Sequence, residues 1–167
     1  YTPRADNHRF FLSGFTGSTA FLLIPAKGRA ILYVDGRYHI QADQEVDPAD
    51  IDVRKVSMGS QLLGEVLKDV KGVTTLGYEA DRVSCHQASR LSHAASAVVA
   101  LESGALDEIF GTTRLVHTRP IEFVDESIAG RSIAEKLKAV FARVEATKPA
   151  ALLLCALDDI AWITDGR

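Results

Sequence analysis

Short apolar runs bounded by glycine, proline or charge set the rhythm of the first two thirds of the chain. Thr19–Ile24 and Ala30–Val34 are two such runs, on either side of Pro25-Ala26-Lys27-Gly28-Arg29. That spacing predicts a hairpin of two buried strands. Ile51–Val56, Thr74–Tyr78 and Ala97–Leu101 read as three further strands. Between them the period changes to that of a helix. Asp35-Gly36-Arg37-Tyr38 opens a helix to about Gln44, with the Asp35 carboxylate placed to accept the unpaired N–H groups of the first turn. Ser60 caps a second helix, in which Leu63, Val66, Leu67 and Val70 share a face and Gly72 marks the end. Ser84-Cys85-His86-Gln87 is a capping box that starts a third, and Ala105–Phe110 is a short fourth. Two strands followed by alternating helix and strand predict an α/β fold, a mixed β-sheet flanked by helices.

Arg114–Asp125 has neither period and contains Pro120, so it reads as a connector. The pattern then restarts. Ser132-Ile133-Ala134-Glu135 is a second capping box, and Ile133, Leu137, Val140, Phe141 and Val144 form one apolar stripe. Pro149 ends that helix, Ala151–Cys155 reads as a buried strand, and Leu157–Ile163 follows with the one tryptophan, Trp162. Residues 1–118 are expected to form one domain and 122–167 the truncated start of a second. Because the chain opens at Tyr1 and stops at Arg167, it is expected to be a fragment.

The 167 residues carry 22 acidic and 19 basic side chains, a formal charge of −3. Such a balance argues against nucleic acid as a partner, which needs clustered positive charge. No apolar run approaches the roughly 20 residues of a membrane span. Hydrophobic residues at 47% are ample for a packed core. Cys85 and Cys155 form no CxxC pair, so they are expected to be reduced thiols, buried as small hydrophobes, in a cytoplasmic protein.

Candidate chemistry is sparse. His8, His39, His86, His93 and His117 include no pair at metal-ligand spacing, and they read as surface or satisfied core histidines. Asp158-Asp159 is read as a helix cap, since adjacent helical residues diverge. The glycines form neither a GxGxxG nor a nucleophile elbow. What remains is the loop Leu12–Ser18, with Phe15 and its backbone N–H groups, and the turn Asp35–Tyr38, with the forked cation of Arg37. Together they make half of a recognition site for a small acidic or peptide ligand. The plainer alternative makes Phe15 core and Arg37 a surface ion-pair partner.

Phe11-Leu12-Ser13-Gly14-Phe15-Thr16-Gly17-Ser18, followed by Asp35-Gly36-Arg37-Tyr38 and Gln41-Ala42, resembles the amino-terminal region of Xaa-Pro aminopeptidases, of the creatinase/prolidase group of pita-bread metallopeptidases. Tyr1-Thr2-Pro3-Arg4-Ala5-Asp6 resembles the start of that region. Ala129–Leu137 and Leu157–Trp162 resemble signatures of the three-domain form. The resemblance implies a creatinase/aminopeptidase P amino-terminal-domain-like fold in a cytoplasmic homodimer that removes the residue preceding proline. Two divalent metal ions, commonly manganese, would be held by a carboxy-terminal domain that this chain lacks. No residue here is then catalytic or metal-binding, while Arg37 and Phe15 are the expected substrate-binding residues. Two departures stand out: Asn7–Leu12 is shorter than the family's usual segment, and Thr164-Asp165-Gly166-Arg167 departs from its usual ending. A competing implication is a non-enzymatic peptide- or histone-binding module of the same fold.

Overall fold

In a computed structural model, residues 7–102, 104–110, 120–144 and 151–166 are described. The apolar alternation along Ala30–Val34 (β2) decides the architecture of the amino-terminal part. Ala30, Leu32 and Val34 face one core, together with Phe15, Ala42, Val46 and Ile51. Ile31 and Tyr33 face a second core, with Val56, Leu62, Val66, Val70 and Leu91. A strand covered on both faces needs apolar residues at every position, which is why this run shows no polar alternation. Ala20–Leu23 (β1) pairs antiparallel with β2, Phe21 opposite Tyr33, and Ile51–Lys55 (β3) pairs with it in parallel, Leu32 opposite Val53. His39–Glu45 (α2) makes the crossover between β2 and β3.

Leu62–Asp69 (α3) and Cys85–Ala94 (α4) contribute to the second core. Leu76–Glu79 (β4) and Val98–Leu101 (β5) pair in parallel as a two-stranded sheet. The expected mixed sheet is therefore β1–β2–β3. The β4–β5 pair joins it through side-chain packing of Leu76, Tyr78 and Val98 rather than through a backbone ladder. His8–Ser13 (α1) precedes β1, and Asp107–Phe110 (α5) follows β5.

Several local expectations change. The second helix of the sequence reading is entered through a 3₁₀ turn, Gly59–Gln61, with Gln61 at the N-cap of α3, so Ser60 is not its cap. Helix α2 begins at His39 with Tyr38 at its N-cap, because Asp35 spends its oxygens on the turn itself. The Ser84 capping box is present: Ser84 Oγ accepts from Gln87 N–H, and Gln87 Oε1 accepts from Ser84 N–H at 2.8 Å. Both cysteines are free but exposed, not buried. Residues 1–6 and the first half of the Arg114–Asp125 connector, His117 included, lie outside the described residues.

The chain divides into two compact units, Tyr1–Leu115 and Val116–Arg167. In the second, Asp125 caps Glu126–Ala129 (α6), and the Ser132–Glu135 box starts Ile133–Val144 (α7). Leu157–Thr164 (α8) packs on α7. The buried α7 residue is Lys136, 2% exposed; its ammonium donates to Trp162 O at 3.0 Å and to the Asp165 carboxylate. Ile133, Leu137 and Phe141 stay exposed, so the stripe covers no complete core. The segment 151–156, expected as a buried strand, pairs with no strand among the described residues and is mostly exposed, Leu153 at 85%. Asp158 and Asp159 sit in the first turn of α8, where they favour the positive helix end, rather than at the cap, which is Ala156.

Candidate functional site

The loop and the turn singled out in the sequence meet at one end of the β1–β2–β3 sheet. Asn7 Oδ1 accepts from Phe10 N–H and starts α1, and Gly14 ends it at φ +71°, a left-handed position that favours glycine. The loop then turns inward. Phe15 is fully buried and meets the Tyr38 ring edge-on, with centroids 5.7 Å apart. Tyr38 and Ser18 share a hydrogen bond of 2.7 Å between their hydroxyls. Glu45, at the end of α2, accepts from Thr16 N–H at 2.8 Å and Thr16 Oγ1 at 2.7 Å. Gln41 donates to the same Thr16 Oγ1 and to Glu45. Loop and helix are thus laced together by five polar side chains, Thr16, Ser18, Tyr38, Gln41 and Glu45.

The turn is built around Asp35, which is only 2% exposed. Its Oδ1 accepts from Arg37 N–H at 3.1 Å and from Arg37 Nε at 3.0 Å, and its Oδ2 accepts from Arg37 Nη2 at 2.8 Å. The Arg37 hydrogen bonds hold the Asp35 carboxyl below its ordinary range, outweighing burial, which acts in the opposite direction. Arg37 itself is 64% exposed and lies 5.2 Å from the Tyr38 ring centroid. Its guanidinium is therefore fixed on one edge by a chelating carboxylate and on one face by an aromatic ring. Gly36 and Gly59 make room: a Cβ on Gly36 would stand 2.9 Å from Ser57 O, and one on Gly59 would stand 2.9 Å from Asp35 Oδ2. His39 turns away and donates to Val56 O at 2.9 Å.

Of the two expected ligand contacts, Arg37 presents surface and Phe15 presents none. Phe15 supports the loop and Tyr38 from beneath.

A second polar cluster escaped the sequence reading. His8 on α1, 6% exposed, lies between Glu79 Oε1 at 2.5 Å and Asp107 Oδ1 at 2.6 Å. Burial lowers its pKa, but the bonds to Glu79 and then Asp107 more than compensate, and the net shift is upward from 6.5. Both ring nitrogens serve a carboxylate, so the cluster is an ion-pair clasp. Among the described residues no three His, Cys, Asp or Glu side chains are gathered to hold a metal ion. His86 and His93 are exposed on α4. No helix among the described residues is long and apolar enough to cross a membrane.

Comparison with known proteins adds to this geometry. The family model described as Creatinase/Prolidase N-terminal domain matches residues 4–116, and a second model of the same description matches 114–167. The chain is 27% identical over 173 residues to the probable Xaa-Pro aminopeptidase P of Coprinopsis cinerea, covering 100% of this chain and 28% of that protein. It is 29% identical over 175 residues to the probable Xaa-Pro aminopeptidase P of Talaromyces marneffei, covering 100% and 26%. The chain therefore spans little more than a quarter of the length of these curated relatives. Among solved structures, the X-prolyl aminopeptidase of Caenorhabditis elegans, described as a cytosolic enzyme with a di-nuclear active site, shares the fold over 100% of this chain and 28% of its own (TM-score 0.74, 22% identity). The Xaa-Pro dipeptidase of Bacillus anthracis does so over 90% and 39% (TM-score 0.52, 23% identity).

Proposed function

Because this chain belongs to the creatinase/prolidase N-terminal domain family, we propose that it is the noncatalytic amino-terminal part of an Xaa-Pro aminopeptidase. The enzyme would remove the amino-terminal residue that precedes proline. The observation that carries the reading is the match of a creatinase/prolidase N-terminal family model to residues 4–116, joined by relatives named Xaa-Pro aminopeptidase P that align along the whole chain. Two divalent metal ions, manganese being the first to test, would be held by a downstream domain. This part would wall the substrate cleft, with Arg37 turned toward the peptide, and support a homodimer in the cytoplasm. Its own units are taken as 1–118 and 122–167, which the two successive family matches support.

The Arg37 geometry suits that role. A guanidinium anchored on one edge by Asp35 keeps its outer edge in a defined direction, where it can hold a peptide carbonyl or carboxylate. The test is hydrolysis of an Xaa-Pro peptide by the full-length protein with Mn²⁺. Release of the first residue is expected, with loss on chelation and with proline replaced by alanine. The isolated 167-residue chain should release nothing. Cleavage indifferent to proline would overturn the assignment.

A further inference from the structure

The Arg9 side chain spans the base of the loop that carries Phe15 and meets Tyr38. Its Nη1 donates to Ala20 O at 2.9 Å and its Nη2 to Gly17 O at 2.5 Å. The guanidinium carbon lies 5.7 Å from the Phe15 ring centroid. Its Nε is buried without a hydrogen-bond partner among the described residues. Leaving a buried donor unmet is costly, so this placement serves the two carbonyls rather than the arginine.

From there a continuous set of contacts leads to Arg37. A Cβ on Gly17 would fall 2.2 Å from Phe15 Cζ and 2.9 Å from Tyr38 Cδ1, so the loop, Phe15 and Tyr38 touch without slack. Phe15 meets Tyr38 edge-on, Ser18 holds the Tyr38 hydroxyl, and Arg37 lies over the Tyr38 ring. We propose that Arg9 is a positioning residue for Arg37: by pinning the Gly17 and Ala20 carbonyls beneath Phe15, it fixes the Tyr38 ring on which the Arg37 guanidinium rests. It acts through these neighbours and not on the ligand. Its role in peptide binding rests on the reading of Arg37 as a cleft residue. Lysine cannot replace it fully, because a point charge cannot span two carbonyls as a fork does.

The experiment is a four-variant cycle in the full-length protein: parent, Arg9→Met, Arg37→Ala and the double variant, each assayed for kcat and KM on an Xaa-Pro peptide. Arg9→Met is expected to raise KM about tenfold with kcat nearly unchanged, and the double variant to be no worse than Arg37→Ala alone. Arg9→Lys should fall between parent and Arg9→Met. Additive losses would overturn the proposal. Amide exchange of the segment 35–41 is followed in parallel, and it should be faster in Arg9→Met; unchanged exchange would also overturn it. Faster exchange with a silent Arg37→Ala would support the positioning role and sink the cleft reading instead. If Arg9→Met does not fold, Phe15→Leu interrupts the same contacts one step later and is judged by the same cycle.

Discussion

Arg37 and Asp35 face each other across a two-residue turn as a chelate, Nε to Oδ1 at 3.0 Å and Nη2 to Oδ2 at 2.8 Å. The acid is buried and the base is mostly exposed. This asymmetry gives the pair two duties. The inner half closes the turn between β2 and α2, and the outer half is a cation of fixed direction.

Removing either partner should therefore have different consequences. Arg37→Ala in the full-length protein is expected to lower kcat/KM about ten- to a hundredfold, at roughly 1.4 kcal/mol per factor of ten. It should also cost about 1–3 kcal/mol of stability, because the Asp35 carboxylate loses its charge-assisted partner while buried. Asp35→Asn should lower stability by a similar amount and raise KM, since Arg37 keeps its charge but loses its direction. Denaturant titration and steady-state kinetics separate the two effects. Normal kinetics in a stable Arg37→Ala variant would remove the residue from the cleft.

Gly36→Ala should destabilise the same turn by about 1–3 kcal/mol. The added Cβ would stand 2.9 Å from a backbone oxygen, Ser57 O, which cannot move aside as a flexible side chain could. Gly28→Ala is the control: nothing lies within 4 Å of its Cβ position, and its cost comes from the +97° φ alone. Thermal unfolding of both variants checks the difference.

His8 predicts a pH dependence of stability. Its folded pKa lies above 6.5, so the folded state binds the proton more tightly than the unfolded chain does. The stabilisation is complete below the unfolded value of about 6.5 and is lost as pH rises through the folded pKa. The denaturation midpoint should accordingly fall across that window. His8→Gln should flatten this component, and Glu79→Gln should reduce it, because Asp107 remains on the other nitrogen. A midpoint that rises over the same window would contradict the clasp.

Lys136 should be the most sensitive position among the described residues of the second unit. Lys136→Ala leaves the Asp165 carboxylate without its ammonium and Trp162 O without a donor, and is expected to cost about 3–5 kcal/mol. Lys136→Met combined with Asp165→Asn should recover much of this, since the stem packing is kept and no unpaired charge remains. Chemical denaturation of the full-length protein is the measurement.

The sequence by itself announces whatever closes over three or four residues or repeats along one element. The Ser84–Gln87 and Ser132–Glu135 boxes were legible because cap and partner lie three positions apart. The strands β1 and β2 were legible because a run of apolar residues between turn signals has few other uses, and β3 because Ile51 and Val53 alternate with charge. Arg37 stood out by its motif, but its partner did not. Asp35 looks like a helix cap in sequence, and only the tertiary turn, with Gly36 against Ser57 and Gly59 beneath the carboxylate, directs its oxygens to Arg37 instead.

Tertiary structure alone decided the contacts that join distant segments. His8 meets Glu79 and Asp107 from positions 71 and 99 residues away, and no local period announces such a meeting. Phe15 became support rather than ligand surface because burial depends on what folds over a residue, not on its own chemistry. Likewise Lys136 went inside α7 while Ile133, Leu137 and Phe141 stayed exposed, since an apolar stripe specifies a face and not the neighbour that must cover it. Local hydrogen bonding and periodicity are properties of the chain. Partnership across the fold follows from packing, where each pairing exists only after its neighbours are placed.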